Sequence, residues 1–235
     1  MEDRKGEKVK GMFASISKRY DLLNTLLSLN RDSSWRRFTV RHSGLKEGGR
    51  ALDVATGTGK LAMELAGAVG KRGRVVGVDF CDEMMEQGAA AIRGTDLEDI
   101  IEFRNARAES LPFPDSSFDC ASIAFGLRNV SDIDRSLCEM ARVTRPGGRV
   151  LVLEFTQPRN RIVQGLYYFY FFRVLPFIGG LISGNRDAYT YLPESVMKFP
   201  SPERLKEKME NAGLAAVEYH LLTGGIVALH QGTVP

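Results

Sequence analysis

The chain has 235 residues, 43% of them hydrophobic and 26% charged, and a formal net charge of +3. Those are globular values that exclude wholesale disorder, and the length suits one large domain burying roughly 70% of its unfolded surface. So small a net charge gives no reason to expect a nucleic-acid partner. Cys81, Cys120 and Cys138 show no paired spacing, so no disulfide framework, zinc site or other metal is expected.

The N-terminal MEDRKGEKVKG is charged and lacks an apolar core, so it is not read as a signal peptide. Residues 8–30 read as helical, with Val9, Met12, Phe13 and Ile16, then Leu22, Leu23, Leu26 and Leu27, forming an apolar stripe, and Asp21 as a cap. A third helix is predicted from Ser33 to Arg41. Arg31, Arg36, Arg37, Arg41 and Lys46 cluster here against Asp32. That cluster is either a solvated helix face or a patch that approaches anionic lipid headgroups.

After the loop signal KEGGR the pattern changes to strands alternating with helices. Strands are predicted at 51–55, 74–79, 100–103, 118–125 and 149–155. Helices are predicted at 59–69, 82–93 with Asp82 as cap, and 132–144, ended by Arg145-Pro146-Gly147-Gly148. The alternation stops over 157–199, which ends in a turn-rich SGNRDAYTYLPES. It resumes with a helix at 202–212, capped by Ser201 and stopped by Gly213, and two strands, Ala215–Leu222 and Gly225–His230, joined by Thr223-Gly224. Such alternation means an α/β fold with a doubly wound, mostly parallel sheet, here of seven strands. The expected organisation is a single domain over 1–235: a helical cap (1–48), a cofactor-binding core (49–156), a substrate-lid or membrane-facing insertion (157–199), and a final helix with a strand hairpin (200–235).

Within the insertion, VQGLYYFYFFRVLPFIGGLI (163–182) is too interrupted for a membrane span. Arg173 divides it, Pro176 breaks a helix, and each apolar piece is under half of the about 20 residues a span needs.

The first predicted strand and turn read LDVATGTGKLA, in which Gly57-x-Gly59-x-x-Ala62 satisfies a nucleotide-binding fingerprint. Glycines there let the backbone approach a ligand. Asp79, 22 residues after Gly57, ends the second strand and can accept from both hydroxyls of a ribose, which NAD and S-adenosylmethionine share. Asp53 separates the two. A carboxylate repels a pyrophosphate but suits a methionine ammonium and sulfonium, so S-adenosylmethionine is favoured over NAD. The bland alternative is a loop-closing carboxylate. NARAESLPFPDSSFD (105–119) begins where adenine lies in such sheets.

The chain resembles the demethylmenaquinone methyltransferase family, the ubiquinone/menaquinone biosynthesis C-methyltransferases. The resemblance spans nearly the whole chain: MFASISKRYDLLN (12–24), LDVATGTG (52–59), LPFPDSSFDCASIAFGLRNV (111–130), RVTRPGGRVLVLEF (142–155), YTYLPESVMKFPSPERL (189–205) and LLTGGIVALHQG (221–232). It implies a class I S-adenosylmethionine-dependent methyltransferase fold with N-terminal helices and a helical insertion after the fifth strand. It further implies methyl transfer to a ring carbon of a polyprenylated quinol, demethylmenaquinol or the benzoquinol of the ubiquinone pathway. The implied cofactor contacts are Thr58, Asp79, Arg107, Ala108 and Ala124, beside Asp53, Gly57 and Gly59 of the fingerprint. Three positions depart from the family. Arg107 stands where Asp or Asn is usual and has no acceptor for the adenine amino group, which passes to Glu109 or a backbone carbonyl. Lys60, at a helix start, stands where Asp is frequent and becomes a candidate for the methionine carboxylate. Asp32 stands where His is common.

A quinone ring carbon is electrophilic; the two-electron-reduced quinol, once deprotonated, is nucleophilic. The protein must align ring and methyl, exclude water and stabilise a phenolate. Candidate catalytic residues are Arg128 as phenolate clamp, with Asn129 as its hydrogen-bonding companion, and Tyr20. The alternatives are a structural pairing of Arg128 with Asp132 or Asp134, and Tyr20 as a core aromatic. His220 and His230, in predicted strands, read as structural. The aromatic insertion suits an isoprenoid tail. With Arg159, Arg161 and Arg173 it would give a cytoplasmic protein weak, reversible contact with the membrane surface; packing on the sheet edge or in a homodimer interface is the alternative. Competing functions are methylation of another ring acceptor, NAD-dependent oxidoreduction, and a non-catalytic scaffold in quinone synthesis.

Overall fold

The computed structural model describes residues 30–174 and 186–235, together with residues 11, 12, 14, 15, 25 and 28. Most of the helices expected over 8–30, including Asp21 and Tyr20, and residues 175–185 of the insertion lie outside the described residues.

Helix α1 (Arg31–His42) precedes the alternating core. The core runs β1 (Arg50–Val54), α2 (Lys60–Val69), β2 (Arg74–Asp79), α3 (Asp82–Ile92), β3 (Ile101–Asn105), β4 (Phe118–Ala124), α4 (Ile133–Val143) and β5 (Thr144–Phe155). Then come α5 (Arg161–Phe169), continued by a π turn over Tyr170–Val174, α6 (Arg186–Lys198), α7 (Pro202–Asn211), β6 (Ala215–Leu222) and β7 (Val227–Thr233). The seven strands form one sheet in the order β3-β2-β1-β4-β5-β7-β6. The first five are parallel, and β7 lies antiparallel between β5 and β6.

Alternating strand residues face opposite layers. Leu52, Val54, Ala121, Ile123, Val150 and Val152 pack with Leu137 and Met140 of α4 and Leu205 and Met209 of α7. Ala51 and Val75 turn to the other side, against Leu61, Leu65 and Val69 of α2. Trp35 of α1 covers Leu151, Leu153 and Leu229 on that second face, and its Nε1 donates to Thr223 Oγ1 at 2.9 Å. Both faces being covered explains why the parallel strands read as unbroken apolar runs.

Three elements differ from expectation. Asp82 does not cap α3: Cys81 is the N-cap residue, without a side-chain cap bond. The Asp82 Oδ1 instead accepts from Asn105 Nδ2 at 2.6 Å. Strand β5 starts at Thr144 rather than after the Pro-Gly-Gly turn. Between the pairs Phe118↔Thr144 and Cys120↔Arg149, the longer run on β5 is taken up as a bulge, with Gly147 at φ 76. A Cβ on Gly148 would come within 2.7 Å of the Asp119 carbonyl oxygen. Finally, the turn-rich stretch before residue 196 is largely helix α6, despite Pro193 inside it. Burial of Pro193, Ser195 and Val196 holds a helix that local propensity disfavours. Ser201 does cap α7, accepting from the Arg204 amide. Among the described residues no helix is long and apolar enough to cross a membrane.

Candidate active site

Sheet order reverses between β1 and β4, and open α/β sheets bind ligands outside the carboxyl ends of the strands at such a point. Here both strand ends bend sharply. Ala55, after β1, has φ 51, and Phe125, after β4, has φ 57. Neither is glycine, so both carry backbone strain that the surroundings must hold. A Cβ on Gly126 would fall 2.5 Å from that of Ala55, so only glycine lets the two turns close together.

Beyond these turns lies a cleft with about 970 Å³ of free space, its open mouth included. Asp53, Gly57, Thr58 and Asp79 line it from the β1 and β2 ends; Arg107, Ala108, Ala124 and Asn129 line it from the β3 and β4 side. Gly59 stands behind the wall as the N-cap of α2, at φ 76. A Cβ there would sit 2.7 Å from the Phe103 ring, so its absence sets the close packing of α2 on β3.

The floor is acidic. Asp53 is 1% exposed and accepts from Thr56 Oγ1 at 2.7 Å. Burial pushes its carboxyl up to about 7, against the opposing effects of the Thr56 hydroxyl and the Arg36 guanidinium. Asp79, 7% exposed, receives the Gly57 amide at 2.8 Å and the Cys81 amide at 2.9 Å. Burial raises its pKa as well, opposed by those amides. Asp79 thus fixes the glycine turn while its remaining acceptor sites border the cleft.

Near the β3 end, Arg107 Nη2 donates to Ser131 Oγ at 3.2 Å, and Glu109 Oε1 accepts from the Ser131 amide at 2.7 Å. The Glu109 carboxylate, one of the two candidates to replace the missing acceptor at position 107, is therefore already bonded to a wall residue.

Arg128 pairs with neither Asp132 nor Asp134. Asp132 caps α4 through the Arg135 amide, and Asp134 binds Lys208 at 2.8 Å. The Arg128 side chain, 6% exposed, forms an ion pair with Glu154 of β5, 2% exposed, at 2.7 Å. Its Nη1 also donates to the carbonyl of strained Phe125 at 2.5 Å. Burial raises the Glu154 pKa while Arg128 holds it down. Asn129, which does reach the cleft, accepts from the Tyr191 hydroxyl of α6 at 3.1 Å. His230 is buried, its Nε2 2.9 Å from the Pro202 carbonyl oxygen, and burial lowers its pKa to about 4, so it is a neutral donor between β7 and α7. His220 packs with Phe38 and His42. Neither histidine lines the cleft.

Sequence reasoning missed Glu154, Tyr191 and Arg36. Glu154 was findable: in a parallel pair with Ala124 opposite Leu153, the next residue of β5 lies beside the turn that carries Arg128. The Asp32/Arg36 spacing of four on one helix face was a second signal. Tyr191 lies in YTYLPES, within a stretch that carries the resemblance, but its turn-rich composition gives no local sign of the helix that brings it to Asn129.

Removing one partner of a buried ion pair leaves the other charge uncompensated, at a cost of about 3–5 kcal/mol. Glu154→Ala is expected to lose that much in urea unfolding. The double replacement Arg128→Met with Glu154→Leu should recover most of the stability; equal losses in both would show that the pair is incidental.

Comparison with known proteins gives the family and the fold. The family model described as the ubiE/COQ5 methyltransferase family matches residues 1–234. A "Ubiquinone/menaquinone biosynthesis C-methyltransferase UbiE" from Teredinibacter turnerae is 46% identical over 97% of this chain and 92% of that protein. One of the same name from Hahella chejuensis is 48% identical over 95% and 90%. Among solved structures, the [4+2]-cyclase SpnF aligns with a TM-score of 0.73 at 18% identity, covering 98% of this chain and 97% of that one; this is a likeness of fold. With residues 1–234 of the chain matched by the family model and relatives this similar, the chain belongs to the ubiE/COQ5 methyltransferase family.

Proposed function

We propose that the protein methylates a ring carbon of a polyprenylated quinol, in ubiquinone/menaquinone biosynthesis, with S-adenosylmethionine as methyl donor. The observation that carries this reading is the buried Asp53 carboxyl at the cleft floor, in a chain of this family. An acid with 1% exposure, hydrogen-bonded to the neutral Thr56 hydroxyl, suits a cationic ligand and disfavours the pyrophosphate of NAD.

The residues present fit the donor. Asp53 would receive the methionine ammonium and Asp79 the ribose hydroxyls. Gly57, at φ 56, with Thr58 gives the backbone turn along which it would lie, and Arg107, Ala108 and Ala124 would flank the adenine. When bound, S-adenosylmethionine supplies an electrophilic methyl group. The quinol enters from the side of α6, where Asn129, held by Tyr191, presents its amide to a ring oxygen. Arg128, bound to Glu154 and to the Phe125 carbonyl, positions Asn129 by fixing the turn between them. The phenolate clamp therefore falls to the Asn129 amide group, which Tyr191 positions by donating its hydroxyl hydrogen to Asn129 Oδ1. No metal is needed.

The acceptor must be reduced, because only the quinol carbon is nucleophilic. Purified protein with S-adenosylmethionine and a short-tailed demethylmenaquinone should give a product heavier by one methyl, on carbon by fragmentation, only when a reductant is present. Equal product without reductant, or methylation on oxygen, would refute the quinol mechanism.

The finer partner is a membrane surface. Ile162, Leu166 and Phe169 of α5 are 76%, 68% and 65% exposed, at i, i+4 and i+7, so they form one solvent-facing apolar stripe. Arg161 and Arg173 are exposed beside it, whereas Arg159 is taken up by Glu203. Three apolar side chains and two cations support weak, reversible binding to anionic lipid. Co-sedimentation with phosphatidylglycerol vesicles is expected for the native chain and lost in Ile162→Glu/Leu166→Glu/Phe169→Glu, with turnover of a water-soluble quinol retained; unchanged sedimentation would exclude α5 as the contact.

A further inference from the structure

The cleft holds a cation that the reading above does not use. Arg36, on α1, lines it together with Asp53, and its side chain is only 11% exposed. Its Nη1 lies 2.5 Å from Asp32 Oδ2, and the Ser28 hydroxyl steadies the other Asp32 oxygen at 3.0 Å. The guanidinium carbon sits 5.7 Å from the centre of the Phe125 ring, within cation–π range. Helix α1 is itself pinned to the sheet by Trp35, whose ring packs 6.0 Å from Phe125 and 6.2 Å from Phe155 between centroids. Arg36 is therefore held in place before any ligand arrives. Asp32 takes one corner of a fork that carries five donors, and the group as a whole borders the cleft.

A buried acceptor-only group and a fixed donor-only group on one cleft wall match a ligand with an ammonium and a carboxylate on the same carbon. We propose that Arg36 binds the carboxylate of the cofactor's amino-acid end, with Asp32 as its positioning residue, so that Asp53 and Arg36 together form a subsite for an α-amino-acid zwitterion. The proposal rests on the S-adenosylmethionine reading. Lys60 also lines the cleft, but it is exposed and sits at the start of α2, where the helix dipole opposes a cation. Arg36 has neither handicap, and its planar fork meets a carboxylate with two hydrogen bonds.

Calorimetric binding of S-adenosylhomocysteine and of 5′-methylthioadenosine, which lacks the amino-acid end, tests this without turnover. Arg36→Met should weaken S-adenosylhomocysteine roughly tenfold or more, the worth of one charge-assisted contact, and leave methylthioadenosine unchanged. Arg36→Lys should restore part of the loss, and Asp32→Asn should reproduce a smaller version of it with Arg36 still present. Equal loss for both ligands, or a selective loss seen only in Lys60→Met, would overturn the proposal. Failure of the native protein to bind either ligand would refute the cofactor reading on which it stands.

Discussion

A carboxylate in the middle of a covered sheet is the constraint around which this molecule is arranged. Asp53 occupies a strand position flanked by Leu52 and Val54, both fully buried, where an apolar residue would stabilise the fold. Burial there raises its pKa to about 7. The sign follows from linkage: the folded chain holds this proton more tightly than the unfolded one. Its contribution to stability is therefore complete below the ordinary carboxylate range and is lost as pH rises through about 7. A group that weakens the fold near neutrality makes sense where a ligand cation takes over the role of the proton.

From that floor, contacts run outward in a continuous path. The Phe125–Gly126 turn is closed against Ala55 and held by Arg128, which is bound in turn to Glu154 on the neighbouring strand. The same turn carries Asn129 to the cleft and, through Tyr191, meets helix α6 of the insertion. On the other side of Phe125 stands Arg36 with Trp35. The strained turn after β4 thus touches the cleft wall, helix α6 and helix α1 at once, and its strain persists because these neighbours over-determine it.

Much of the fold was legible because strand and helix periods in the core are strong and the glycine turn has few other uses. What was missed depends on distance or context. The bulge in β5 lies where Gly148 approaches Asp119 across the sheet, a contact distant in sequence. Helix α6 contains a proline and is fixed by burial, so propensity misreads it. The sequence offers Arg128 as a phenolate clamp, with a structural pairing to Asp132 or Asp134 as the alternative. Its true partner lies 26 residues away and becomes visible only through the parallel register. Arg36 is one of several basic residues on a helix; its spacing of four from Asp32 marks a pair but does not show that the pair faces the cleft.

Asp53, as a carboxylate, is the proposed receptor of the ligand cation. S-adenosylhomocysteine titrated calorimetrically at about pH 6, in buffers of differing ionisation enthalpy, tests this through proton release. Binding is expected to expel a proton, affinity to fall as pH drops below about 7, and Asp53→Asn to diminish both effects. Binding without proton release and with no pH dependence would refute that role.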